Sequence, residues 1–521
     1  MTGGGLLVLV TYGSQNVILS GNPQMTYYFK IFRRYAHFSM ENVAIAMDGP
    51  NTISDTGPIQ LRAKIQRIGD LLSDMIFSFN IPDIYSKAVS AANLPGVGTR
   101  QFEYEFQWVK ALGAAIINSA EFFIGGQSIQ RFDGTYLYAK AQLEYDTATL
   151  AKWNIMVGNT NELTTPSAGS YAASANSGPT YPTVISQGAG VTTANRPSIF
   201  GQTIHVPLNF WFTDATSQAL PLVALQNQEC EVVINLNPVQ TLYTILDPNG
   251  VRVAPQYQTV SNLLNNPEYA ASSEKKLDGT AATTIQNFLS DVNTTAPLTW
   301  PNFNPVLQCT FVYLSDEERT TFATRPLTYV LPQLRSLSLG PINKMSDTYK
   351  LEITSPVTRF IFIPSRTDKF NRNDFTNFTN WSTYPFAPLN VGTLGLFNAS
   401  RTSGLLIPNS QRDIIQSVRI LCNGNEIQEE KPFDFLTKVY PFRYTSGNTN
   451  AEIPIYTWAL TSSKTQPSGS INASRITNFQ MEVKYYSLPT STNYVYDLTL
   501  YAETLNFLVI ASGSGAPKYV L

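Results

Sequence analysis

Two histidines, His37 and His205, are all the imidazole in the chain. A zinc site or an iron facial triad usually draws on two or more converging imidazoles. These two lie far apart in dissimilar surroundings, so each is expected to be structural or superficial. Cys230, Cys309 and Cys422 are odd in number and widely spaced. They suit neither a disulfide framework nor a CxxC metal knuckle, and read as small buried hydrophobes of a reducing compartment. The tightest acidic group is Asp316-Glu317-Glu318. Paired carboxylates can hydrolyse glycosides, yet Ser315 precedes these and Glu318 stands three residues after it. That is a capping box, which predicts a helix with Ser315 as N-cap, running to about Ala323 before Pro326. No P-loop, GxGxxG after a strand, HExxH, GxSxG or EF-hand loop occurs. The expectation is a protein with no catalytic residue, no cofactor, no metal and no small-molecule substrate.

The densest basic patch, Lys30, Arg33 and Arg34, is interleaved with Phe32 and Tyr35. Three charges on one short segment hold phosphate or membrane weakly under screening, so contact with another protein surface is expected. Asn293, Asn377, Asn380, Asn398 and Asn472 open glycosylation sequons. They would carry sugar only in a secreted protein. The runs Gly3-Gly4-Gly5 and Gly513-Ser514-Gly515 read as flexible ends.

The elements that must position these groups are mostly strands. The chain has 521 residues, a net charge of −2 and only 14% charged side chains, against about 25% in an average soluble domain. Without a basic excess, no nucleic-acid partner is expected. The first basic residue is Lys30 and the apolar run Leu6–Val10 is short, so neither a signal peptide nor a membrane span is expected. Segments rich in β-branched and aromatic residues recur between Gly, Pro, Asn and Ser clusters. They are Met75–Ile81, Phe122–Ile124, Cys230–Leu236, Thr310–Leu314, Phe360–Ile363, Val418–Cys422, Met481–Tyr486, Tyr494–Tyr501 and Leu505–Ile510. Helix signals are few: besides Ser315, Asp133 can cap a helix through Leu143, and Pro432 can open another in its first turn.

An internal echo organises the strands. Ser119–Gln130 matches Ser417–Gln428 at a constant offset of 298, each a strand, a glycine turn and a return strand. Ile81-Pro82 is matched by Ile363-Pro364, and Val206-Pro207 with Trp211 by Ile453-Pro454 with Trp458, in the same order. The chain is therefore read as all-β, with two copies of one sandwich joined by short helices. Extra residues in the first copy fall on 159–196 and 242–303, and the second copy has its own long stretch at 366–412. All three are expected as surface loops.

The residues also carry a resemblance. Ser20-Gly21-Asn22-Pro23-Gln24, followed by Phe29-Lys30, Arg33-Arg34 and Phe38, resembles the amino-terminal signature of major capsid proteins of nucleocytoplasmic large DNA viruses. Phe210-Trp211-Phe212 with Ala219–Leu225 is similar to a block late in that family's first jelly roll. Tyr313-Leu314, Glu317-Glu318-Arg319 and Phe322 resemble its junction between rolls. Gln466-Pro467-Ser468-Gly469-Ser470 with Asn472, Ser474 and Arg475 is similar to its carboxyl-terminal motif.

The resemblance implies two tandem eight-stranded antiparallel jelly rolls. The expected order is an arm at 1–26, a first roll at 27–314, a linker at 315–334 and a second roll at 335–521. It further implies a homotrimer forming a pseudo-hexagonal capsomer, which meets neighbouring capsomers in an icosahedral shell. Minor capsid and penton proteins, and the proximity of an inner membrane, belong to the same implication. So do synthesis in the host cytoplasm and residence in the virion. Asn22, Pro23, Lys30, Arg33 and Arg34 would then make arm contacts, and Pro467, Ser468, Gly469, Asn472, Ser474 and Arg475 would be structural. The alternatives are a jelly-roll carbohydrate-binding protein, with Phe375–Trp381 stacking on sugar rings, and a viral attachment protein.

Overall fold

The structure is a computed structural model. It describes all residues except 1–2, 11–12, 15, 31, 86–87, 91–100, 104–105, 165–196, 198, 247–251, 256–284, 290–299, 301, 382–410, 448–451, 462–465, 489–493 and 520–521. Two compact units result, Met1–Ser39 and Met40–Leu521.

Within the larger unit, the apolar–polar alternation of the sequence becomes two sandwiches. The first comprises β1 (Ser39–Ala46), β2 (Ile59–Ile65), β3 (Leu71–Asn80), β4 (Ile117–Ile124), β5 (Gln127–Phe132), β6 (Thr203–Pro207), β7 (Leu220–Pro221), β8 (Cys230–Leu236) and β9 (Val306–Tyr313). The second comprises β10 (Leu327–Ser338), β11 (Ser346–Lys350), β12 (Pro356–Arg366), β13 (Ile415–Cys422), β14 (Asn425–Pro432), β15 (Ile455–Thr457), β16 (Ile471–Asn472), β17 (Phe479–Tyr485) and β18 (Tyr496–Ala511), with β19 (Ser514–Pro517) added at the end. The first packs the sheet β1-β9-β3-β7, with β6 also on β3, against β2-β8-β4-β5. The second repeats this as β10-β18-β12-β15, with β16 also on β12, against β11-β17-β13-β14.

Each strand of the first set therefore has a counterpart in the second, in the same chain order. Both echo hairpins turn through two residues of positive φ, Gly125 (59°) and Gly126 (80°) in one, Asn423 (50°) and Gly424 (82°) in the other. That geometry suits the right-handed twist of a two-residue hairpin. The facing sheets of the two copies share nine corresponding strand segments among the described residues, where eight were expected, because two short segments share the edge beside β3 and beside β12.

Several expectations shift. The expected strands Tyr494–Tyr501 and Leu505–Ile510 merge into one 16-residue strand, β18, which begins at Tyr496. The second sandwich opens at Leu327, not 335, because β10 pairs with β18 along its whole length. The separate amino-terminal unit reaches Ser39 instead of 26. Gly3–Gly5 begin a helix, Gly3–Val10, and Gly513 lies in the tight turn between β18 and β19, so neither run is a loose end. Pro432 ends β14 and directly precedes the helical segment that begins at Phe433, and a second proline, Pro441, stands in the first turn of helix Tyr440–Tyr444. The extra residues after β5 start with helix Thr147–Met156, whose Trp153 is buried. Within 242–303, Tyr243, Trp300 and Phe303 belong to the core beside Phe106 and Trp108. Most of 159–196 lies outside the described residues.

Candidate functional site: the seam and the assembly surfaces

Asp133 caps helix Gly134–Glu144 as expected, accepting from the Tyr136 amide at 2.7 Å. The same carboxylate accepts from the Tyr501 hydroxyl of β18 at 2.6 Å, so one cap also joins the two sandwiches. Burial pushes the Asp133 carboxyl above its ordinary range, and the Tyr501 bond only partly opposes this. Farther along the helix, the Tyr136 hydroxyl donates to Glu503 at 2.7 Å, and Glu144 pairs with Arg359 at 2.6 Å. Arg359 (β12) also forks onto its cross-strand neighbour Glu503 (β18) at 2.9 and 2.7 Å. Backbone contacts continue the seam. The Gln130 amide donates to Pro332 O and the Gln333 amide to Ile129 O, both at 3.1 Å, and the Gly515 N–H donates to Gln228 at 2.7 Å. One apolar cluster runs through both sandwiches, from Phe122 and Ile129 to Leu331, Leu508 and Ile510.

Helix Asp316–Thr324 connects the sandwiches. Ser315 sits at its N-cap position, but its side chain makes no capping bond. The helix is tethered instead by Arg319, which forks onto Asp70 at 2.9 and 3.2 Å, and by the Leu314 N–H, which donates to Asp70 at 2.9 Å. Phe322 packs on Leu71 and Val312. Asp316, Glu317 and Glu318 are exposed or nearly so on its first turn, where the helix dipole favours negative charge.

The carboxyl-terminal motif is a brace. Pro467 and Ser468 help line the cleft between the sandwiches, and the Ser468 hydroxyl accepts from Thr461 N and donates to Thr461 O. Ile471–Asn472 then pairs with Pro356–Val357, Asn472 caps the turn Ala473–Arg475 by accepting from Ser474, and Arg475 is exposed. Gly469 has φ +149°, and a Cβ there would lie 2.7 Å from Trp458 O. Gly469→Ala is therefore expected to cost about 1–3 kcal/mol through backbone strain. Thermal unfolding checks this; a midpoint equal to that of the unmodified chain would exclude it.

Other predicted sites part company with the structure. Asn377 and Asn380 are buried. The Asn377 amide nitrogen, the atom a glycan would take, donates to Trp381 O at 2.7 Å, and Asn380 accepts from the Tyr494 hydroxyl at 2.9 Å. Neither can carry sugar in the folded chain. Asn472 is exposed, whereas Asn293 and Asn398 lie outside the described residues. The Phe375–Trp381 segment turns inward, with Phe378 buried, so it offers no sugar platform. His205 is on the exposed side of β6, its Nδ1 2.8 Å from the Ser78 hydroxyl. Cys230 and Cys309 are buried and free, and burial pushes both thiols up to about 12, far from thiolate formation. Cys422 departs from the expectation in being partly exposed. In the amino-terminal unit, Asn22 adopts a left-handed conformation (φ 51°), Pro23, Arg33 and Arg34 are exposed, and Lys30 lies over the Phe32 ring at 5.6 Å.

The duplicated sandwich and the arm invite comparison with known proteins. The family model "Major capsid protein N-terminus" matches residues 26–277, and "Large eukaryotic DNA virus major capsid protein" matches 318–516. The chain belongs to the major capsid protein family of large eukaryotic DNA viruses. A major capsid protein of Chrysochromulina ericina virus is 24% identical, aligned over 99% of this chain and 100% of that one. The capsid protein in a quasi-atomic structure of the PBCV-1 virus capsid superposes with a TM-score of 0.62 at 18% identity, covering 95% of this chain and all of that one. The Faustovirus major capsid protein gives 0.60 at 13% identity, covering 96% and 94%. The fold of this capsid chain is a double jelly roll, and its place is the virion shell.

Proposed function

We propose that this capsid chain acts without catalysis, trimerising into a pseudo-hexagonal capsomer that tiles an icosahedral shell. The observation that carries the reading is the strand-for-strand duplication. Two like sandwiches in each of three chains present six similar walls from threefold symmetry, and closed symmetry limits runaway association. A net charge of only −2 keeps repulsion low among many copies. The purified chain is expected to elute near three times its 57.7 kDa mass. A stable single chain with measurable glycan affinity would favour the carbohydrate-binding alternative.

The arm supplies the contacts beneath the shell in this reading, with minor capsid or penton proteins or near an inner membrane. Tyr27, Tyr28, Phe32 and Tyr35 are 78–98% exposed, a run of apolar surface that calls for a partner. Removing residues 2–24 is expected to leave trimer mass and melting unchanged while particles fail to close, as seen by electron microscopy. Loss of folding on that removal would refute the role of the arm. Synthesis in the host cytoplasm completes the proposal.

A further inference from the structure

Segment 366–380 folds into a buried polar knot at the end of β12, and its charges do not balance. Arg366, Asp368 and Arg372 are 1%, 5% and 5% exposed. The Asp368 carboxylate takes Arg366 on both oxygens and Arg372 on one. Among the described residues it is the only carboxylate paired with either guanidinium, so one positive charge is in excess. The neighbouring charges are engaged elsewhere. Asp374 accepts from the Asn377 amide at 3.0 Å. Asp497 and Asp133 act on Lys369, which donates to Ser365 Oγ at 3.1 Å.

The excess charge coincides with unmatched donors. The Arg372 Nε–H is buried and meets no acceptor among the described residues. Tyr496, directly across from Arg366 on β18, is buried as well, and its hydroxyl also lacks a partner there. Asn380 is engaged on both oxygens, its carbonyl by Arg366 and its Oδ1 by the Tyr494 hydroxyl. The Tyr494 ring, 3.7 Å from Arg366, attracts the guanidinium without carrying a charge of its own. Burial raises the Tyr494 and Tyr496 hydroxyls above their ordinary range, so neither supplies a phenolate. A buried charge without a counter-charge and a buried donor without an acceptor are both costly. We propose that this knot binds one small monovalent inorganic anion of chloride size, held by the Arg372 Nε–H beside the Arg366–Asp368 fork. A single negative charge restores neutrality, whereas a divalent anion would reverse the imbalance, and the burial of all three side chains leaves no place for a bulky one. The bound ion ties segment 366–380 to the paired strands β12 and β18, and this holds whatever the chain assembles into.

The test melts the full chain in mixtures of sodium chloride and sodium gluconate at one ionic strength, so that screening is constant. The midpoint of the unmodified chain is expected to rise by about 2–4 °C over roughly a hundredfold increase in chloride, as mass action requires of an ion that binds the folded state alone. Arg372→Met leaves the Arg366–Asp368 fork neutral, and its midpoint is expected to stay flat across the same series. Arg325→Met, at an exposed arginine, should respond as the unmodified chain does. In crystals of the unmodified chain soaked in bromide, anomalous scattering is expected to place an ion within hydrogen-bond distance of Arg372 Nε. That readout needs no variant, so it decides the matter should Arg372→Met fold poorly. A midpoint indifferent to chloride, or one that climbs equally in Arg372→Met, would overturn the proposal, as would bromide found only at other positions.

Discussion

Replacing Arg359 with leucine is expected to cost about 3–5 kcal/mol and to lower the melting temperature by several degrees. The guanidinium is 3% exposed and lies between Glu503 and Glu144, whose side chains are themselves only 13% and 14% exposed. Burial by itself would favour losing its proton, but the two carboxylates outweigh that and keep it charged. Leucine would leave both carboxylates buried without their cation, one on each side of the seam. Arg359→Lys should fall between, because an ammonium keeps the charge but cannot fork onto Glu503 and reach Glu144 together. Adding Glu503→Gln to the leucine variant should recover part of the loss, since one buried charge is then removed. Differential scanning calorimetry decides the matter. A leucine variant melting within a degree of the unmodified chain would show that the joint contributes nothing.

Asp368→Asn is the second large effect, again about 3–5 kcal/mol. Asp368 receives the Arg366 fork at 2.9 and 2.6 Å and Arg372 at 3.0 Å, and all three side chains are buried. Arg366 also lies over the Tyr494 ring at 3.7 Å and donates to Asn380 O. Burial alone would raise the Asp368 carboxyl, but Arg372 and Arg366 reverse this and hold it below the ordinary carboxylate range. A lowered folded-state value means the stabilisation is complete above the unfolded-state pKa and is lost as pH falls through the folded one. Stability curves of the two proteins should therefore lie apart at neutral pH and converge in strong acid. A constant gap down to pH 2 would contradict the assignment.

Local chemistry made much of the fold legible. The hairpins Ile117–Phe132 and Ile415–Pro432 could be read because Gly and Asn at the turn announce positive φ. The Asp133 cap was visible because its partner is three residues away. Reading failed where the deciding partner is distant. Strand β18 looked broken around Glu503, a charge in an apolar run, yet Arg359, 144 residues earlier, neutralises it and the strand continues. Ser315 looked like a capping side chain, whereas Asp70 holds that helix through Arg319. The sequons at Asn377 and Asn380 are three-residue patterns, and burial by Tyr494 and Arg366 is invisible at that range.

Among the described residues, the histidines and cysteines join no group of three or more metal-ligating side chains. By itself, the sequence determined the strand period, the turn sites and the duplication, since each depends on residues within a few positions or on a simple repeat. Only the tertiary structure decided which face of each copy is covered. Ile129 and Ile427 occupy the same place in the same local pattern, and one is buried while the other meets solvent. The difference is the second sandwich seated on the first, a contact whose free energy comes from residues hundreds of positions apart.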